Sequence, residues 1–267
     1  MNLEELYKKI EIYFKQQQEL NADIYLDKEI IALDFVLHEI ENHTKKRLEE
    51  IKEGKELEQM KLDNIDDNFF LFDEEPEWKA STSLSELHNK IHRCTECPLG
   101  FSRQNFVFGA GNPNADIMII GEAPGADEDE LGEPFVGKAG QLLTKILKAI
   151  DLEREDVYIA NIIKCRPPKN RVPTLFEVTK CEPYLKKQIE LINPEYILAL
   201  GLTAVETLLK KKFKMAEIRG KLFNYENKKM IVTYHPAALL RNPIHKKEVW
   251  EDVQLLRKMY DEFLSNK

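Results

Sequence analysis

The stretch Ile117-Met118-Ile119-Ile120-Gly121-Glu122-Ala123-Pro124-Gly125-Ala126-Asp127-Glu128-Asp129 decides the fold. A short unbroken apolar run reads as a strand buried on both faces, and the Gly- and Pro-containing turn that follows leads into an acidic helix start. Downstream the pattern repeats with longer helical segments between short apolar runs. The runs are Val157 to Ala160, Tyr196 to Leu200 and Met230 to Tyr234; the helices lie near Gly140 to Ile150, over Leu175 to Ile192 and from Thr203. Strands alternating with helices predict an α/β fold, a three-layer αβα sandwich around a central, mostly parallel four-stranded sheet. Ligands of such sheets bind at the carboxyl ends of the strands, so the loops after them are the places to search.

Working outward, the chain of 267 residues divides by charge. Residues 1–83 carry 22 acidic against 11 basic side chains, leaving 28 basic and 25 acidic for the rest. Residues 1–60 show apolar positions at three- and four-residue spacings among charges and read as an acidic, helical N-terminal extension. Residues 61–83 read as an acidic linker ending in Ser81-Thr82-Ser83, with Ser83 or Thr82 capping a helix that runs to about His92. Residues 84–267 are the expected catalytic domain. No apolar run is long enough to cross a bilayer and the charged N-terminus lacks a secretory pattern, so the expected location is cytoplasmic. Lysines at 210–212 and 214 suit either a polyanionic partner or a solvated helix end.

All 4 cysteines fall into a pattern. Two residues separate Cys94 from Cys97, and fifteen separate Cys165 from Cys181. In a reducing compartment these are metal ligands rather than disulfides, and four thiolates serve zinc and an iron-sulfur cluster equally. Arg93, Lys164 and Arg166 stand beside them to offset thiolate charge. Such a site is structural, because the four ligands leave no open position.

Three further loops carry unusual residues. Phe135, between Pro134 and Gly137, sits in a turn where an aromatic either stacks on a ligand or packs inward. Asn161 at a strand end offers a paired donor and acceptor suited to a base edge, or simply shapes a turn. The last loop, His235-Pro236-Ala237-Ala238-Leu239-Leu240-Arg241-Asn242-Pro243, places two leucines beside basic residues. They read as a wedge for a duplex or as a short helix packed on the sheet.

In this order these features resemble the family 4 uracil-DNA glycosylases, the iron-sulfur class, over about Leu84 to Phe263; the first 83 residues lie outside the resemblance. It implies a 4Fe-4S cluster on Cys94, Cys97, Cys165 and Cys181, with uracil-containing DNA, single- or double-stranded, as substrate. Phe135 would stack on a flipped uracil, Asn161 would pair with its N3 and O4 edge, and His235 would hydrogen-bond O2. Glu122 and Glu128 would lie around the pocket and the attacking water. Ala123 would stand where other uracil glycosylase families place a polar water-activating side chain or its neighbour. Leu239, Leu240 and Arg241 would meet DNA. Two other readings remain at this point: a uracil-recognising relative that stays covalently attached to DNA, although Lys169 to Lys180 lacks the histidine that would supply its nucleophile, and a non-enzymatic metal-stapled DNA-binding or interaction module. Outside what the resemblance implies, the N-terminal helices would dock a replication or repair protein, shield the body until DNA arrives, or serve as a purely stabilising appendage.

Overall fold

The apolar runs become the centre of a six-stranded sheet in the computed structural model, which describes residues 75–267. In chain order the strands are β1 (Ala110–Gly111), β2 (Ile117–Gly121), β3 (Tyr158–Asn161), β4 (Tyr196–Leu200), β5 (Leu222–Tyr225) and β6 (Lys228–Thr233), arranged β1-β3-β2-β4-β6-β5. The four central strands are parallel, as expected. The sheet gains two antiparallel edges: β1 on β3 and β5 on β6. Neither edge carries the apolar run that marks the centre. β1 is two residues long, and β5 is half exposed and turns into β6 through Glu226 and Asn227, both at positive φ (49° and 60°). That backbone fits the strand twist of a tight hairpin.

Alternation of side chains across the pleat divides the strands between two cores. Met118, Ile120, Ala160, Ile197, Ala199, Met230 and Val232 face one side. They meet α1 (Leu84–Ile91), α5 (Leu175–Ile192) and α6 (Leu202–Leu209), numbered with α2 (Leu99–Ser102), α3 (Ala126–Leu131) and α4 (Lys138–Lys148) in chain order. Ile117, Ile119, Ile159, Leu198, Leu200 and Ile231 face the other side, against Leu143 and Leu147 of α4. That second layer also holds Leu239 of α8 (Pro236–Arg241) and Val249, Val253 and Leu256 of α9 (Lys246–Ser265); the short α7 (Met215–Ile218) lies between α6 and β5. The result is the three-layer sandwich.

Local signals set the helix ends. Ser83 caps α1 by accepting the Glu86 amide at 3.2 Å, and Thr174 and Glu177 form a reciprocal capping box at the start of α5. The linker expected over 61–83 stops short on the described side. Glu77–Ala80 form a 3₁₀ turn, Ser81 is buried, and the Trp78 ring meets Tyr184 edge-on at 4.8 Å. Residues 1–74, with the expected N-terminal helices, lie outside the described residues. Among the described residues no helix is long and apolar enough to cross a membrane.

Candidate active site

Gly121 closes β2 and pairs in register with Asn161, the last residue of β3, so two strand ends meet at one carboxyl edge of the sheet. A Cβ at Gly121 would lie 2.4 Å from Asn161 Oδ1 and 2.6 Å from the Phe135 ring, so only glycine lets these two groups approach. Asn161 is 1% exposed, and its Oδ1 has no hydrogen-bond partner. A buried acceptor left unsatisfied is costly, and here it points to a donor supplied by a ligand. Phe135 is buried and adopts a left-handed backbone (φ 55°). Its ring lies 5.4 Å from the His235 imidazole.

His235 follows β6 and caps α8, extended at φ −65° as its neighbour Pro236 dictates. Its Nδ1 accepts the Ala237 amide at 3.1 Å. An accepting Nδ1 carries no proton, so the neutral ring holds its hydrogen on Nε2 as a donor. Burial, with a smaller contribution from the Arg241 guanidinium, pushes its pKa down to about 4. Near neutrality this histidine is therefore an uncharged hydrogen-bond donor. A Cβ on Gly201, at φ 93° after β4, would approach His235 Cβ to 3.0 Å, which places a third strand end beside the imidazole.

The two glutamates of the first loop separate in role. Burial raises the Glu122 pKa, opposed by a hydrogen bond with Thr203 of α6. Glu128 is buried with both oxygens engaged: Oε2 accepts the Gly125 amide and Oε1 those of Val136 and Gly137, each at 3.0 Å. Glu128, expected around the pocket and the attacking water, thus has both oxygens on amides that tie the first loop to the Phe135 turn. Ala123 is half-buried and offers no polar group to water.

The cysteines come from three elements: Cys94 and Cys97 between α1 and α2, Cys165 after β3, and Cys181 within α5. Their thiols are near enough to repel one another electrostatically once ionised. Burial pushes Cys165 up to about 11 and Cys181 up to about 12, so a soft metal must displace their protons to bind. Donors already face the sulfurs. Arg103 Nη1 reaches Cys165 Sγ at 3.2 Å, and the Lys164 amide reaches Cys181 Sγ at 3.3 Å. The fully buried Lys164 ammonium donates to Asn161 O (2.7 Å) and Gln188 Oε1 (2.6 Å). Arg166 turns instead to Asn170, and Arg103, which sequence reading did not select, takes the compensating place. Among the described residues no three His, Cys, Asp or Glu side chains are arranged to hold a single ion.

The loop after β6 resolves in favour of the short helix. Leu239 is 2% exposed and belongs to the core under α8, which removes it from the expected wedge. Leu240 is 50% exposed, and Arg241 beside it is exposed as well.

Fold and site together define an α/β protein with an unpaired carboxamide oxygen, an aromatic ring and a neutral imidazole at the carboxyl edge of its sheet. The Uracil DNA glycosylase superfamily profile matches residues 108–254. A type-4 uracil-DNA glycosylase of Pyrobaculum aerophilum is 43% identical over 180 residues, covering 64% of this chain and 92% of that protein. Type-4 uracil-DNA glycosylases of Thermotoga maritima and Archaeoglobus fulgidus are each 46% identical, over 62% and 64% of this chain and 88% and 89% of their own lengths. The chain belongs to the type-4 branch of the uracil DNA glycosylase superfamily.

Proposed function

We propose that the chain excises uracil from DNA by hydrolysing its N-glycosidic bond, as a repair enzyme acting on deaminated cytosine. The observation that carries the assignment of roles is the orphaned Asn161 Oδ1 beside a neutral imidazole. A base inside a duplex is out of reach, so it is extruded, with Leu240 and Arg241 supporting the opened DNA. Uracil then lies on Phe135. Asn161 Oδ1 accepts its N3–H, and Nδ2 donates to O4. Cytosine has no proton at N3 and presents an amino group in place of O4, so both contacts fail and buried groups stay unpaired, at about 1–3 kcal/mol each.

Bond cleavage leaves negative charge on the departing base. The His235 Nε2–H donates to O2, where much of that charge collects, and stabilises it more strongly in the transition state than in the bound substrate. Glu122 orients water at the sugar in this reading, and Ala123 supplies no competing base. Loss of the base without a protein nucleophile separates this reading from covalent attachment.

The donor set fits a 4Fe-4S cluster. Four thiols, amide and guanidinium donors aimed at sulfur, and the buried Lys164 all suit an anionic thiolate centre. When bound, the cluster supplies cross-linking rather than chemistry at the sugar, joining the Cys94 loop, the end of β3 and α5. A replication or repair protein docking on the acidic N-terminal residues goes with this reading, as does a cytoplasmic site of action.

Incubation with uracil-containing single-stranded DNA followed by alkali tests the reaction. Strand breaks and free uracil support it; a trapped protein–DNA complex, or intact DNA with fully metal-loaded protein, overturns it. Iron and sulfide assays and the colour of the purified protein test the cluster, since an iron-sulfur centre is brown and zinc colourless. Deleting residues 1–74 and finding every repair-protein contact retained would remove the docking role.

A further inference from the structure

The turn that carries Phe135 is held by two side chains of opposite charge. Glu128 Oε1 accepts the amides of Val136 and Gly137, and Arg154 donates to the two preceding carbonyls, Nη2 to Pro134 O at 2.8 Å and Nη1 to Phe135 O at 3.0 Å. Four consecutive residues, 134 to 137, thus each have a main-chain group fixed by a side chain. The two clamping groups also feel each other's charge.

The need for such a clamp is written in the backbone. Phe135 sits at φ 55°, a left-handed conformation in which a bulky side chain rarely rests unless its surroundings impose it. Behind it, Gly140 of α4 comes so close that a Cβ there would lie 1.8 Å from Phe135 O. The carbonyl is wedged against a helix and needs a donor that reaches it from the remaining side. Arg154 provides that donor from the 3₁₀ turn Arg154–Asp156, directly ahead of β3, whose far end is Asn161.

We propose that Arg154 is a positioning residue for uracil excision. By holding Pro134 and Phe135 in the left-handed turn, it sets the Phe135 ring against the base and registers that ring on the strand that carries the base-reading carboxamide. It acts through Phe135 and touches no substrate itself. This rests on the stacking role proposed for Phe135.

A double-mutant cycle tests it. Full-length, metal-loaded protein is prepared unmodified and as Arg154→Ala, Phe135→Ala and the double variant. Each is checked by thermal melting and assayed for uracil release from a single-stranded oligonucleotide. Arg154→Ala alone is expected to lower kcat/KM by about 10–100-fold, as sub-ångström to ångström displacements of positioned groups do. In the Phe135→Ala background the same change is expected to cost less than about twofold, because the group it positions is gone. Arg154→Lys should recover only part of the loss, since one ammonium cannot present a planar pair of donors to two carbonyls. An equal loss in both backgrounds, or no loss at all, overturns the inference. If Arg154→Ala does not fold, Arg154→Lys and Arg154→Gln complete the same cycle. Unchanged activity in Phe135→Ala would remove base stacking and this inference together, whereas additivity removes only the inference.

Discussion

In the proposed reaction His235 acts as an uncharged donor, and its environment keeps it uncharged. The half-buried imidazole spends Nδ1 on a backbone amide, leaving Nε2–H as its one donor. His235→Ala should lower kcat by about 10²–10³-fold, the range for losing a donor to a developing anion, measured under single-turnover conditions. Its pKa falls from an ordinary 6.5 to about 4 in the folded protein, so the unfolded chain takes up the proton first. The stability this residue contributes is therefore complete above about pH 6.5 and is lost as the pH falls toward 4. Denaturant unfolding between those limits should show a shallower pH dependence in His235→Ala than in the unmodified protein. At Gly121 the argument is steric. Gly121→Ala places a methyl 2.4 Å from Asn161 Oδ1, so uracil release should fall about 100-fold. Melting should register a cost of about 1–3 kcal/mol. Full activity in that variant would mean that the floor of the pocket lies elsewhere.

At the scale of elements, α8 carries the sharpest test, because its adjacent leucines have opposite surroundings. Leu239→Ala should destabilise the fold by about 2–5 kcal/mol in denaturant titrations, the cost of a core cavity. Leu240→Ala should change stability by less than about 0.5 kcal/mol and reduce cleavage of duplex more than of single-stranded DNA. The reverse ranking would reassign the wedge. Elements with a long apolar period or an explicit cap were readable from sequence: α5 has the expected limits, and α1 begins at a serine cap. Pro236 stands at the first position of α8, where proline suits a helix start, but two leucines among basic residues favoured an exposed reading. β5 escaped because its turn, Glu226-Asn227, contains no glycine to advertise positive φ. The spacing of Val249, Val253 and Leu256 in α9 was legible but attached to no motif.

Across the whole molecule, the candidate cysteine and pocket residues stand out as short motifs, whereas the contacts around them do not. Arg103 meets Cys165 from 62 residues away, and Arg154 meets Phe135 from 19. No local pattern encodes such separations, nor does the sequence show that Asn161 Oδ1 lacks a partner or which nitrogen of His235 is protonated. The proposed cluster would tie distant segments together, so removing it should act globally. The buried Lys164 ammonium and Arg103 would then face protonated thiols, and calorimetry should record a lower melting temperature for stripped than for loaded protein. An unchanged melting temperature would mean that the thiols do not fasten the fold. A second long-range tie runs through Asp252 of α9, which accepts the hydroxyl of Thr233, two residues ahead of His235, at 2.7 Å and binds Arg219 at 2.6 Å. A premature stop codon between positions 244 and 252 would therefore leave the terminus of β6 untethered, and such a gene product would be repair-deficient even with every motif residue still translated.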